Sequence, residues 1–105
     1  MLNIAKLINH ITCDKNTGDL YWKQTGPGRK MGVPIGRRRL SSRGVPICEV
    51  HFDGISYQNK YLVYVLCTRK IPVGKIGHLD GDLSNIAFNN LYDKGLMEQL
   101  ERLVA

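Results

Sequence analysis

The chain has no long apolar run. Its longest, Tyr61 to Cys67, is far shorter than the roughly 20 residues a bilayer-crossing helix needs, and the N-terminus lacks a secretory-signal pattern. A soluble, intracellular protein is predicted. Cysteine is scarce, and Cys13, Cys48 and Cys67 form an odd set with no CxxC spacing. That argues against a disulfide framework and against a zinc knuckle, so no zinc is expected and the thiols are read as buried and reduced. No internal repeat or low-complexity stretch occurs.

Acidic residues are missing from one part of the sequence in particular. Between Lys23 and Arg43 stand seven basic residues (Lys23, Arg29, Lys30, Arg37, Arg38, Arg39 and Arg43) and no acidic one, interleaved with Gly26, Gly28, Gly32, Gly36, Pro27 and Pro34. This reads as a flexible cationic segment able to track the phosphates of a duplex, although a charge run of this kind can also be a solvated face. The C-terminal half holds most of the carboxylates. Fifteen Lys and Arg against nine Asp and Glu leave a formal charge of +6, which favours an anionic partner without naming it.

What is present suits one α+β domain spanning residues 1–105. At 105 residues and 43% hydrophobic, the chain can bury a single core without staples. Three parts are expected: a basic β-rich stretch over 12–58, a helix and its following unit over 59–94, and a tail helix over 95–105. Leu2, Ile4, Leu7 and Ile8 stand at helical spacing, and Asn16-Thr17-Gly18 is a turn leading into a strand at Leu20 to Lys23. Ser41 to Gly44 is another turn, and Val45 to Phe52 and Ile55 to Tyr57 flank Asp53-Gly54, a strong hairpin signal. Tyr61, Leu62, Val65 and Leu66 fit a buried helix face, with β-branched Val63 and Val65 leaving a strand open. Lys75 to Leu79 reads as a short extended run. Beyond it, Ser84 is placed as the cap of a helix beginning near Ile86 that carries Phe88 and Leu91 inward. Leu96, Leu100 and Leu103 mark the amphipathic tail helix, expected to pack on its own domain.

The stretch Ile71 to Leu91 holds the candidate chemistry: one imidazole, His78, at the end of an extended run, and one carboxamide, Asn90, twelve residues later. Hydrolysing a phosphodiester needs a base for water and an electrophile for the developing charge. A neutral His supplies the first, and a hard divalent cation on oxygen ligands supplies the second. Blander roles exist for each residue. His78 can hold loop backbone, Asn90 can cap a helix, and Asp80 and Asp82 suit turn chemistry better than a calcium loop. Tyr21 and Trp22 can stack on bases or sit in the core, and His10 and His51 have no partner at ligand spacing.

From about Thr12 to Lys94 the sequence resembles the phage-type HNH (His-Me finger) endonucleases. The resemblance is carried by Asn16-Thr-Gly-Asp-Leu-Tyr-Trp22, Ser42-Arg-Gly44, Asp53-Gly54, Ile71-Pro-Val-Gly74, His78-Leu-Asp-Gly-Asp82 and Asn90-Leu91. It implies antiparallel strands, a helix and a ββα-metal unit with a short C-terminal helix. It also implies His78 as general base and Asn90 as ligand of Mg²⁺ or Mn²⁺, with Asn85, Asp80 and Asp82 in support. Double-stranded DNA is the implied partner, held by the seven basic residues and Lys60, in a phage-encoded protein of the bacterial cytoplasm. The chain departs from the family where a second metal-binding Asp is usual and Gly77 stands. Ile86 and Ala87 replace a usual Asn-Arg, and Asn59-Lys60 replaces a usual His-Arg. Two outcomes remain open: a nuclease working with one amide ligand, or a degenerate nuclease that keeps the grip on DNA. A third reading is an inhibitor that binds a host protein through the apolar or tail helix.

Overall fold

The computed structural model describes residues 2–104. Helix α1 (Ile4–His10) begins where the Asn3 side chain accepts from the Lys6 amide at 3.1 Å, and it buries Leu7. It runs straight into strand β1 (Ile11–Asp14), which pairs antiparallel with β2 (Asp19–Trp22) around the expected turn. The sequence pattern predicted β2 and missed β1, because four residues abutting a helix leave no room for alternation to declare itself.

The second sheet is three-stranded, in the order β3 (Arg37–Leu40), β4 (Pro46–Phe52), β5 (Ile55–Gln58), all antiparallel. Asp53 and Gly54 both take positive φ, as the tight twisted hairpin between β4 and β5 requires. Here the reading of a flexible basic segment is corrected. Arg37, Arg38 and Arg39 form the edge strand β3 in register with Glu49, Cys48 and Ile47, so their backbone is held by a ladder while all three remain exposed. Lys23 to Gly36 is irregular, pinned by a bridge between Gly26 and Arg29 and by the Ile35 amide donating to the Leu20 carbonyl at 2.7 Å.

Helix α2 (Asn59–Thr68) is the centre of the molecule. It buries Leu62, Val63, Val65 and Leu66 and touches both preceding sheets, α1 and the pair that follows. That many-sided contact settles the helix-or-strand ambiguity, because burial on several faces outweighs the modest helix propensity of valine. The core gathers Leu7, Ile11, Leu20, Val50, Phe52 and Leu91 around it.

The last unit is β6 (Ile76–His78), a loop closed by one 3₁₀ turn (Phe88–Asn90), β7 (Leu91–Asp93) and α3 (Lys94–Val104). Strands β6 and β7 pair antiparallel, with His78 opposite Leu91 and Gly77 opposite Tyr92. A capped helix from Ile86 does not form. The Ser84 hydroxyl donates to Asp82 at 2.7 Å instead of capping, and Leu91 enters the core from a strand. The tail helix starts at Lys94, where Asp93 accepts from the amides of Gly95 and Leu96 at its N-terminus. Its first turn packs on the domain, with Gly95 against Gly74, but no residue of the helix is buried and the expected packing goes no further: Leu96, Leu100 and Leu103 lie 42%, 49% and 81% exposed. No helix among the described residues is long and apolar enough to cross a membrane.

Candidate functional site

His78 sits at the end of β6, where the strand opens into the loop. Its imidazole lines a cleft of about 440 Å³ bounded by Arg43, Cys48, Asn59, Lys60, Lys75 and Leu83 among others. The cleft continues into a second hollow of about 400 Å³ lined by Asp19, Arg38, Arg39, Leu40, Asn59 and Ile86 among others. The groove therefore runs between the β3–β4 edge, the first turn of α2 and the loop after His78. Ile86 is shaped to this place. A Cβ on Gly18 would meet Ile86 Cγ1 at 2.6 Å, so the loop lies directly on the β1–β2 turn.

The loop is tied by carboxylates and amides. Asn90 is buried, its Oδ1 accepts from the Asp80 amide at 3.1 Å, and its Nδ2 donates to Asp80 Oδ1 at 3.0 Å and to the Asn85 carbonyl at 2.8 Å. Asp80 also accepts from Asn85 Nδ2 at 2.9 Å and from the Asp82 amide at 2.8 Å, and these donors hold its carboxyl below the usual range. Asp82 holds the amide and hydroxyl of Ser84, which lower it likewise. Asn90 and the three supporting side chains, Asp80, Asp82 and Asn85, are thus all occupied in shaping the turn.

His78 is in a different condition. Its Nε2 is buried without a hydrogen-bond partner. Burial pushes the imidazole below its ordinary pKa and Lys60 pushes it further; Asp80 opposes them, Lys94 adds a smaller push down, and Asp82 opposes least. At neutral pH it is an uncharged ring, able to take or give one hydrogen bond in the cleft.

A divalent ion needs oxygen ligands with lone pairs to spare. The side chains here do not fit one. The Asn90 carboxamide, assigned to the metal by resemblance, uses both amide protons and one oxygen lone pair on the loop. At position 77, where a carboxylate would help, a Cβ would lie 2.6 Å from the Tyr92 ring and 2.8 Å from Lys94 Cε, so an aromatic ring and a lysine fill that space. Among the described residues no three His, Cys, Asp or Glu side chains converge as metal ligands would.

Of the residues expected to grip DNA, Arg38, Arg39, Arg43 and Lys60 line the groove with His78. Arg37 is exposed on the same strand, and Arg39 is partly neutralised by Glu49 (Nε to Oε1, 3.1 Å). Arg29 lies 4.6 Å above the Trp22 ring, and Lys30 is exposed on the same loop. Lys23 belongs to a separate hollow with Lys15, Cys13, Cys67 and Arg69. Lys75, Tyr92 and Lys94 are the site residues that sequence reasoning missed, and Asn59 enters it only as standing where the resemblance has a His. Reading Leu91–Asp93 as a strand would have found Tyr92 and Lys94, since pairing it with Ile76–His78 puts both beside Gly77. Comparison with known proteins identifies no relative: no family model, no curated protein and no solved structure matches the chain.

Proposed function

We propose that this chain is a duplex-DNA-binding protein built on an HNH-like unit around His78 and Asn90, with catalysis impaired relative to a metal-dependent nuclease. The observation that carries the reading is the company His78 keeps. The charged groups lining its cleft, Arg43, Lys60 and Lys75, are all cations, and the groove continues to Arg38 and Arg39 on β3, with Asp19 the one carboxylate among its lining residues. A row of cations along one groove neutralises successive phosphates and releases their counterions, which drives duplex binding without reading sequence.

Neutral His78 keeps the one capacity a hydrolase needs from it, which is to accept a proton from water attacking phosphorus. What is wanting is a strong electrophile at the leaving oxygen, since the ligands for Mg²⁺ or Mn²⁺ are occupied or replaced. Binding therefore outlasts cutting in this reading. Supercoiled plasmid incubated with the protein and Mn²⁺, beside a His78→Ala control, tests it. The expected result is a salt-sensitive gel shift with little or no relaxation by either protein. Relaxation that depends on both Mn²⁺ and His78 would instead establish an active nuclease.

One observation favours a second reading. The uncovered stripe Leu96, Leu100 and Leu103 on α3 suits a protein contact, as an inhibitor of a host factor would use. Shift assays over a range of salt separate the two, because DNA binding weakens steeply with salt and an apolar contact does not.

A further inference from the structure

Helix α2 carries a positive charge where a helix tolerates it least. The first turn of a helix presents unpaired N–H groups and the positive end of the helix dipole, normally met by a capping oxygen or a carboxylate. Here the capping residue Gln58 makes no side-chain cap bond, the first turn has no acidic residue, and its second residue is Lys60. Lys60 is half-buried, and Lys94 stands near enough to repel it. Lys75 lines the same cleft, and its carbonyl accepts from the Lys94 amide at 2.9 Å. Among the described residues the ion pairs are Lys6 with Asp53 and Arg39 with Glu49, so no carboxylate answers Lys60, Lys75 or Lys94.

Two polar atoms at this cleft are also unanswered: His78 Nε2, and Oδ1 of Asn59, a residue only 4% exposed. The Asn59 carboxamide can turn over without changing shape. Its oxygen then meets the Cys48 thiol, which now lies 3.7 Å from Nδ2, and its NH₂ becomes a donor free for the cleft. An uncapped helix start, uncompensated lysines, a buried amide and a buried imidazole nitrogen all lack the same thing, an anion with several acceptor oxygens.

We propose that the cleft between the first turn of α2 and β6 is a phosphate site that works without a divalent metal. The N-terminal amides of α2, the Asn59 carboxamide, the Lys60 and Lys75 ammonium groups and His78 Nε2–H together receive one phosphoryl group. Where the resemblance calls for a carboxylate to hold a metal cation, this chain sets the cation itself, with Lys94 packed against Gly77. The inference rests on the DNA-binding reading only for the source of the phosphate.

The test is a titration of the whole protein with inorganic phosphate in EDTA, followed by the NMR signals of Asn59, Lys60 and His78, with chloride at matched ionic strength as control. Saturable shifts with phosphate and none with chloride are expected. Lys60→Met is expected to weaken them at least about tenfold, as loss of a charge-assisted contact should, while Lys60→Arg retains them; Lys75→Met serves as a second variant should the first unfold. Shifts that require Mg²⁺, that chloride reproduces, or that both lysine variants leave unchanged overturn the proposal. A short DNA duplex in EDTA then identifies the source. Displacement of phosphate by the duplex makes the backbone phosphodiester the occupant. Phosphate binding that the duplex cannot displace supports the site with a free phosphate as its ligand and removes the DNA reading alone. Duplex binding with no phosphate shifts and no sensitivity to Lys60 removes the site and leaves the DNA reading standing.

Discussion

Gly77 and Tyr92 face each other across the β6–β7 pair, and a Cβ built on Gly77 would come 2.6 Å from the Tyr92 ring. The absence of a side chain at position 77 is therefore matched by an aromatic ring that uses the space. A carboxylate introduced at position 77, as the resemblance would call for, meets that ring and Lys94 together.

Gly77→Asp is accordingly expected to lose about 1–3 kcal/mol of stability, as overpacking does, and to gain no metal-dependent nicking. The double variant Gly77→Asp/Tyr92→Ala should recover part of that loss, because it reopens the space. Urea unfolding measures the first effect, and plasmid relaxation with Mn²⁺ the second. A single variant as stable as the parent, and newly able to nick, would contradict this account of the site.

Asn90→Asp separates a metal ligand from a loop tie. A ligand would bind Mg²⁺ more tightly as a carboxylate. A loop tie loses its two N–H donors and sets a negative charge against Asp80 Oδ1, now 3.0 Å from Nδ2, and against the Asn85 carbonyl. The expected cost is about 2–4 kcal/mol, typical of a buried polar group whose partners are left unmatched. Protonating the introduced carboxylate relieves part of it, so the variant should regain stability relative to the parent as the pH falls. Thermal unfolding at several pH values, with and without Mg²⁺, reads both.

His78 should titrate below the ordinary imidazole value of about 6.5, because burial, then Lys60 and to a smaller extent Lys94, disfavour its charged form against the opposing pull of Asp80 and Asp82. The unfolded chain then binds the proton first. The contribution of His78 is whole above about pH 6.5 and declines as the pH drops toward the lower folded value. Asp80, Asp82 and Asp93 act in the same sense further down. Burial raises Asp93, but four backbone N–H donors outweigh it, so all three are held low, and their contribution is lost as the pH falls through their folded values. An NMR titration of the imidazole checks the first point, and Lys60→Met should move its midpoint upward.

On β3, Arg37 and Arg38 are exposed and without an ion-pair partner among the described residues, whereas Arg39 is paired with Glu49. If they lie on phosphates, Arg37→Ala and Arg38→Ala should each reduce the slope of log affinity against log salt by about 0.9. Arg39→Ala should change it less, and Glu49→Ala should strengthen binding. Equal effects at all three arginines would mean that the pair opens when DNA binds.

The turns were legible because their signals are local. Asp53-Gly54 and Asn16-Thr17-Gly18 close hairpins as their residues foretell, and the apolar face of α1 follows from spacing, whereas the spacing of α2 leaves a strand open that its burial on several faces decides against. The region from Ser84 to Asp93 was misread for a physical reason. Phe88 and Leu91 stand three apart, as on one helix face behind a serine able to cap it, yet each is turned inward by a different device, a 3₁₀ turn and a strand, while Ile86 lies against Gly18. The tail was recognised as a helix, but its periodicity says which side is apolar and not whether anything covers that side.

By itself the sequence determined where the chain turns, which helix faces are apolar, that positive charge gathers between Lys23 and Arg43, and that His78 ends an extended run. Tertiary structure alone decided that Lys60, Lys75 and His78 share one cleft, that Lys94 and Tyr92 fill the space beside Gly77, and that Asn90 ties the loop from within. Turns and faces arise from interactions within a few residues. The cleft arises from pairing 76–78 with 91–93 beneath the start of α2, and the energy of that pairing is spread over residues far apart in the chain, where no short stretch can encode it.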